Sequence, residues 1–199
     1  AVQDFVSLVD QFMEQLGITQ APLVGHSMGG TVSLSTAIRY PHRVKKVVAI
    51  GSPIVGSSLS LMLKLFGRRP IAFVVYKNLW AFRLFYRLLG PFYTRDRRWP
   101  QMMDRDISST TLESFLLSIA SLRRTDLRPV LNQVKVPTMG MYGGRDIVVS
   151  PSQWKVMADG VPHAQIQRYN KAGHFIMLDE PQPFMEALRE FLDSESSSL

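Results

Sequence analysis

One short run constrains the fold more than any other: Gly25-His26-Ser27-Met28-Gly29, which follows an apolar stretch at 21–25 and leads into a helical stretch at 30–40. A strand that turns at once into a helix cannot pair through a hairpin, so the next strand returns parallel to it. The flanking residues agree. Val2, Phe5, Val6, Val9, Phe12, Met13 and Leu16 recur at helical spacing and stop at Gly17. Residues 44–50 read as a buried strand closed by Gly51-Ser52-Pro53. Helix, strand, helix, strand predicts an α/β fold on a parallel sheet.

That rhythm stops at about residue 57 and resumes after Pro129. The later part holds a strand at 136–142 ending in Gly143-Gly144-Arg145-Asp146, a helix at 151–159, and a strand at 164–169. The loop Asn170-Lys171-Ala172-Gly173-His174 follows, then a last helix at 181–192. The expected organisation is a core from residues 1–56 and 127–193, a helical cap at 57–126 and a flexible polar tail at 194–199. Within the cap, helices are expected near 58–66, 71–89, 101–106 and 110–122.

Composition adds two constraints. With 46% hydrophobic and 20% charged residues in 199, the chain can build a core. It has no cysteine, which excludes disulfides, thiolate metal sites and cysteine nucleophiles. Charge is unevenly placed. Residues 57–126 hold 12 Lys/Arg and 5 Asp/Glu, whereas the remainder holds 11 of each. The same segment is aromatic, with Phe73, Tyr76, Trp80, Phe82, Phe85, Tyr86, Phe92 and Tyr93 inside 71–93. Three readings compete there: a stripe packed on the core, a lid lining an apolar substrate pocket, and a membrane-surface helix bearing Arg83 and Arg87. No nucleic-acid motif accompanies the basic residues, and no run of 18 apolar residues appears.

A serine between two glycines, on a turn from strand to helix, holds its hydroxyl exposed above a sheet. It needs a base. His174 is the best placed of four histidines, in a loop after a strand, and Asp146 follows another strand. The order Ser27, Asp146, His174 spans 119 and then 28 residues, so only folding unites them. Alternatives stand beside each assignment. Ser27 could merely cap its helix, Asp159 and Asp179 compete with Asp146, His26 reads as packed or substrate-flanking, and His42 and His163 read as loop residues.

With Gly30, Val136-Pro137-Thr138, Gly173-His174-Phe175 and Asp179-Glu180-Pro181, these motifs resemble the α/β-hydrolase superfamily, esterase/lipase type. The resemblance spans nearly the whole chain. It implies Ser27 as nucleophile, His174 as base, Asp146 as orienting acid and the Met28 N–H as an oxyanion donor, with His26 and Phe175 beside the substrate. The activity it implies is hydrolysis of an ester or related carbonyl bond of an apolar small molecule through an acyl-enzyme, with no metal or organic cofactor. C–C bond hydrolysis or perhydrolysis on the same triad, and a non-catalytic binding module, are the rivals. Expected partners are the small-molecule substrate, a lipid surface met by the basic, aromatic cap, and further copies of the chain; nucleic acid is not expected. The family's opening hairpin, its next two strands and the loop giving a second oxyanion N–H are expected to be missing. On that expectation strand 21–25 becomes a sheet edge, and the chain is a weak enzyme that associates.

Overall fold

The structure is a computed structural model that describes residues 2–78, 80, 83–84, 87–88, 90 and 93–194. Its elements are α1 (Val2–Gln15), β1 (Ala21–His26), α2 (Met28–Arg39), β2 (Val44–Ile50), α3 (Leu61–Phe66), α4 (Arg69–Lys77), α5 (Trp99–Ser109), α6 (Leu112–Arg124), β3 (Thr138–Gly143), α7 (Gln153–Gly160), β4 (Gln165–Tyr169), α8 (Ile176–Asp179) and α9 (Pro181–Asp193). The four strands form one parallel sheet in the order β1-β2-β3-β4. Among the described residues β1 pairs with β2 alone.

The sheet is covered on both faces, which is why its central strands read as near-continuous apolar runs. Alternate residues of β2 point opposite ways. Val47 and Ala49 pack with Leu34, Leu131, Met157 and Val161 on one face. Val48 and Ile50 pack with Met141, Ile176, Phe184 and Phe191 on the other. A third cluster, including Val6, Val32, Leu59 and Leu122, ties α1 and α2 to α6.

Lys46 interrupts β2, yet it is only 5% exposed. Its ammonium donates to the Phe191 and Leu192 carbonyls at 2.8 and 3.0 Å, to the Ser194 hydroxyl at 3.1 Å and to the Ser194 carbonyl. A cation thus satisfies carbonyls that the end of α9 leaves unpaired. Ser194 is thereby held to Lys46; residues 195–199 of the tail expected at 194–199 lie outside the described residues.

Between β2 and β3 the described residues form helices and turns, and antiparallel bridges Val55–Asp126 and Leu59–Val149 close the base of this excursion. The helix expected over 71–89 is not continuous. It starts earlier, at Arg69 beside Pro70, and stops at Asn78, whose side chain turns back to the Val74 carbonyl at 2.8 Å. Beyond it Trp80, Arg83, Leu84, Arg87, Leu88, Gly90 and Tyr93 are helical again. Phe82, Phe85, Tyr86 and Phe92 of the aromatic stretch lie outside the described residues. The next helix starts at Trp99, because Pro100 suits a first turn where no N–H is needed.

Candidate active site

Ser27 is the one non-glycine residue with positive φ among the described residues, at φ 53° and ψ −122°. Such a conformation persists only where its surroundings impose it. Two glycines do so. A Cβ on Gly25 would lie 2.2 Å from the Gly29 carbonyl carbon, and one on Gly30 would lie 1.9 Å from Ser52 Oγ. The Ser27 N–H donates to the Ile50 carbonyl at 2.8 Å, tying the turn to the end of β2. Its side chain makes no capping bond to α2. The hydroxyl is therefore not used as a helix cap, and Met28 opens the helix whose N-terminus faces the turn.

Asp146 and His174 meet, although 28 residues separate them. The His174 Nδ1–H donates to Asp146 Oδ2 at 2.7 Å, with both side chains 5% exposed or less. The other oxygen, Oδ1, accepts the Val148 and Val149 N–H groups at 2.8 and 2.9 Å. With an ionised carboxylate as acceptor, the imidazole proton sits on Nδ1 and leaves Nε2 free to accept one. The loops approach closely: a Cβ on Gly143 would lie 2.1 Å from the Gly173 carbonyl oxygen.

Ser27 reaches this pair through Gly51. Gly51 has φ +54°, follows the carbonyl that holds Ser27, and has its Cβ position 3.4 Å from His174 Nδ1. Ser27 Oγ and His174 make no hydrogen bond with each other in this structure. The role of Gly51 was not read from the sequence; its signal was a glycine directly after a buried strand.

His26 packs against His174. Its Nε2–H donates to the His174 carbonyl at 2.9 Å, and the rings lie 4.6 Å apart. Burial first, and then the neighbouring His174, push the His26 pKa down to about 4, so the ring is neutral near pH 7 and can donate that bond. Phe175 packs 5.3 Å from His26 and 5.9 Å from Trp99. It belongs to an apolar group with Met62, Tyr93, Met103 and Leu178.

Asp179 does not touch His174. Its Oδ2 accepts the Gly173 N–H at 2.7 Å, and its Oδ1 accepts the Thr94 hydroxyl and the Arg95 N–H at 2.6 and 2.7 Å. It is a clasp between the histidine loop and the helical excursion. Asp159 is exposed on α7, and His42 lies on an exposed turn. His163 Nε2–H donates to the Val136 carbonyl at 3.0 Å. An apolar hollow of about 220 Å³ lies among Phe66, Ala72, Val75, Tyr76, Met103 and Phe115. Ser27, Asp146 and His174 do not line it.

The strained serine, the buried pair and the four parallel strands coincide with a match to the alpha/beta hydrolase fold family over residues 1–181. The chain belongs to that family. This α/β-hydrolase chain is 27% identical over 195 residues to a 2-hydroxy-6-oxo-6-phenylhexa-2,4-dienoate hydrolase of Burkholderia cepacia, covering 92% of this chain and 66% of that protein. The chain thus spans about two-thirds of that relative's length. Its fold matches a hydrolase structure from Pseudomonas aeruginosa at TM-score 0.83 and 22% identity, covering 98% of this chain and 72% of the other. An esterase structure from Exiguobacterium antarcticum matches at TM-score 0.78 and 20% identity, covering 97% and 74%.

Proposed function

We propose that this α/β-hydrolase chain carries the nucleophile, base and orienting acid of a serine hydrolase that acts on a carbonyl of an apolar small molecule. The observation that carries the reading is the buried His174–Asp146 bond beside a serine held at φ 53°. Ser27 Oγ attacks the carbonyl carbon while His174 Nε2 takes the hydroxyl proton. The Met28 N–H, at the start of α2, faces the developing oxyanion. Collapse of the tetrahedral intermediate expels the leaving group, which takes that proton from His174. Water then attacks the acyl-enzyme, His174 again serving as base, and Ser27 is restored. Asp146 keeps the proton on Nδ1 and stabilises the imidazolium. Residues 57–126 act as the cap, and Tyr93, Trp99, Met103 and Phe175 give its base an apolar wall for the substrate.

A second reading has its own support. The Burkholderia cepacia relative is a hydrolase of an oxo-dienoic acid, so a ketone carbonyl could take the ester's place and a carbon–carbon bond be the one cleaved. A fluorophosphonate probe followed by peptide mass analysis tests the shared core of both readings. Labelling is expected on Ser27 and absent in Ser27→Ala; labelling elsewhere, or none on folded protein, overturns it. Turnover of p-nitrophenyl esters of rising chain length, set against an oxo-dienoate, then separates the two.

A further inference from the structure

The positive charge of the chain serves no part of that chemistry. Residues 57–126 hold 12 Lys/Arg against 5 Asp/Glu, and everything else balances at 11 to 11, so the net +7 belongs to this segment. Within it, Trp80, Leu84 and Leu88 are helical, four residues apart, and 71%, 53% and 68% exposed. Residues at that spacing share a helix face. Three large apolar side chains in a row toward solvent are not core.

Arg83 and Arg87 flank the stripe. Arg83 Nε and Arg87 Nη2 each lie 3.0 Å from an oxygen of Asp104 on α5. Asp104 thereby braces the helix through its arginines and leaves the tryptophan and leucines outward. The neighbouring α4 repeats the pattern: Phe73 and Val74 are exposed, and Lys77 Nζ sits 5.1 Å from the Phe73 ring centroid. Arg68, Arg69, Arg95, Arg97 and Arg105 are exposed in the same segment.

We infer that this face docks on an anionic phospholipid bilayer, Trp80, Leu84 and Leu88 entering the interface while the arginines and lysines meet the lipid phosphates. Apolar side chains beside long cationic ones are what a fluid, negatively charged surface selects, since the cationic stems extend along the apolar layer and keep their charge at headgroup level. No helix among the described residues is long and apolar enough to cross a membrane, so the contact is peripheral.

The test mixes the 199-residue chain with vesicles of phosphatidylcholine alone, or with phosphatidylglycerol added, and follows co-sedimentation and tryptophan emission. Trp99 is buried, and Trp154 packs under Arg168 and Lys155, so Trp80 is the reporter. Vesicles with phosphatidylglycerol are expected to sediment the chain and shift its emission to the blue. Raising salt from about 0.1 M to about 1 M should release it, as screening shortens from about 10 Å to about 3 Å. Trp80→Phe should keep most of the sedimentation and lose the blue shift. Leu84→Ser with Leu88→Ser should lower partitioning about tenfold or more with unchanged melting. Equal binding to both vesicle types, a blue shift that survives in Trp80→Phe, or a double variant that binds like the parent would overturn the inference. So would a parent dimer in light scattering that the double variant abolishes while neither protein sediments with vesicles.

Discussion

Ser27 combines a strained backbone with a hydroxyl that the helix does not use, and the two facts give opposite predictions for stability and turnover. Glycine adopts φ 53° without the Cβ penalty. Ser27→Gly is therefore expected to raise stability by about 1 kcal/mol in urea melts while abolishing ester turnover. Asp146→Asn should cut turnover on the order of 10⁴-fold, because the amide reverses the proton arrangement at His174 Nδ1. Stopped-flow measurement with a p-nitrophenyl ester reads this directly. At His26 the folded pKa, about 4, lies below the ordinary 6.5. The unfolded chain then binds more protons between pH 6.5 and 4, so stability present above pH 6.5 is lost as pH falls toward 4. The loss from this ring is at most about 3 kcal/mol. His26→Gln keeps a donor and removes the titration, so its urea midpoint should fall less steeply than the parent's across that window. Ser27, Asp146 and His174 stand out in the sequence because each follows a strand and each has a chemically distinctive neighbour. The bond from His26 did not, because its acceptor is a backbone carbonyl, which any residue could supply.

At the scale of elements, strands and their parallel direction were legible because apolar runs and glycine turns alternate. What was not legible depends on partners distant in sequence. Asp179 reads as one acid among several before a proline, yet it joins Gly173 to Thr94 and Arg95, some 85 residues away. Asp179→Asn places an amide where three donors converge and should destabilise the chain by about 1–3 kcal/mol. Thr94→Val removes one donor of the three and should cost about 1 kcal/mol. Thermal melts of both variants and of the double variant measure the clasp, and the double should fall short of additive. The break at Asn78 was likewise hidden, since aromatic residues continue at helical spacing on either side of it. Nor does anything local explain Lys46 within a buried strand; its reason lies at the far end of the chain, in the carbonyls of α9.

For the whole molecule, β1 is bonded on one side among the described residues, and Val24 on it is half exposed. Leu8, Phe12 and Leu16 of α1 are exposed as well. Sheet edges and apolar faces of this kind recruit further strands and copies. Light scattering of the 199-residue chain should show association that grows with concentration, and Val24→Lys should weaken it by charging the edge. The parent remaining monomeric at every concentration would count against that expectation. The clasped, two-faced sheet also sets a schedule for biosynthesis. Ser27 and His174 are 147 residues apart, and Lys46 waits for residues 191–194. At ordinary translation speed that interval is roughly 7 to 30 s. Throughout it the growing polypeptide carries the strained Ser27 turn without His174, so a chain halted early never closes the His174–Asp146 bond.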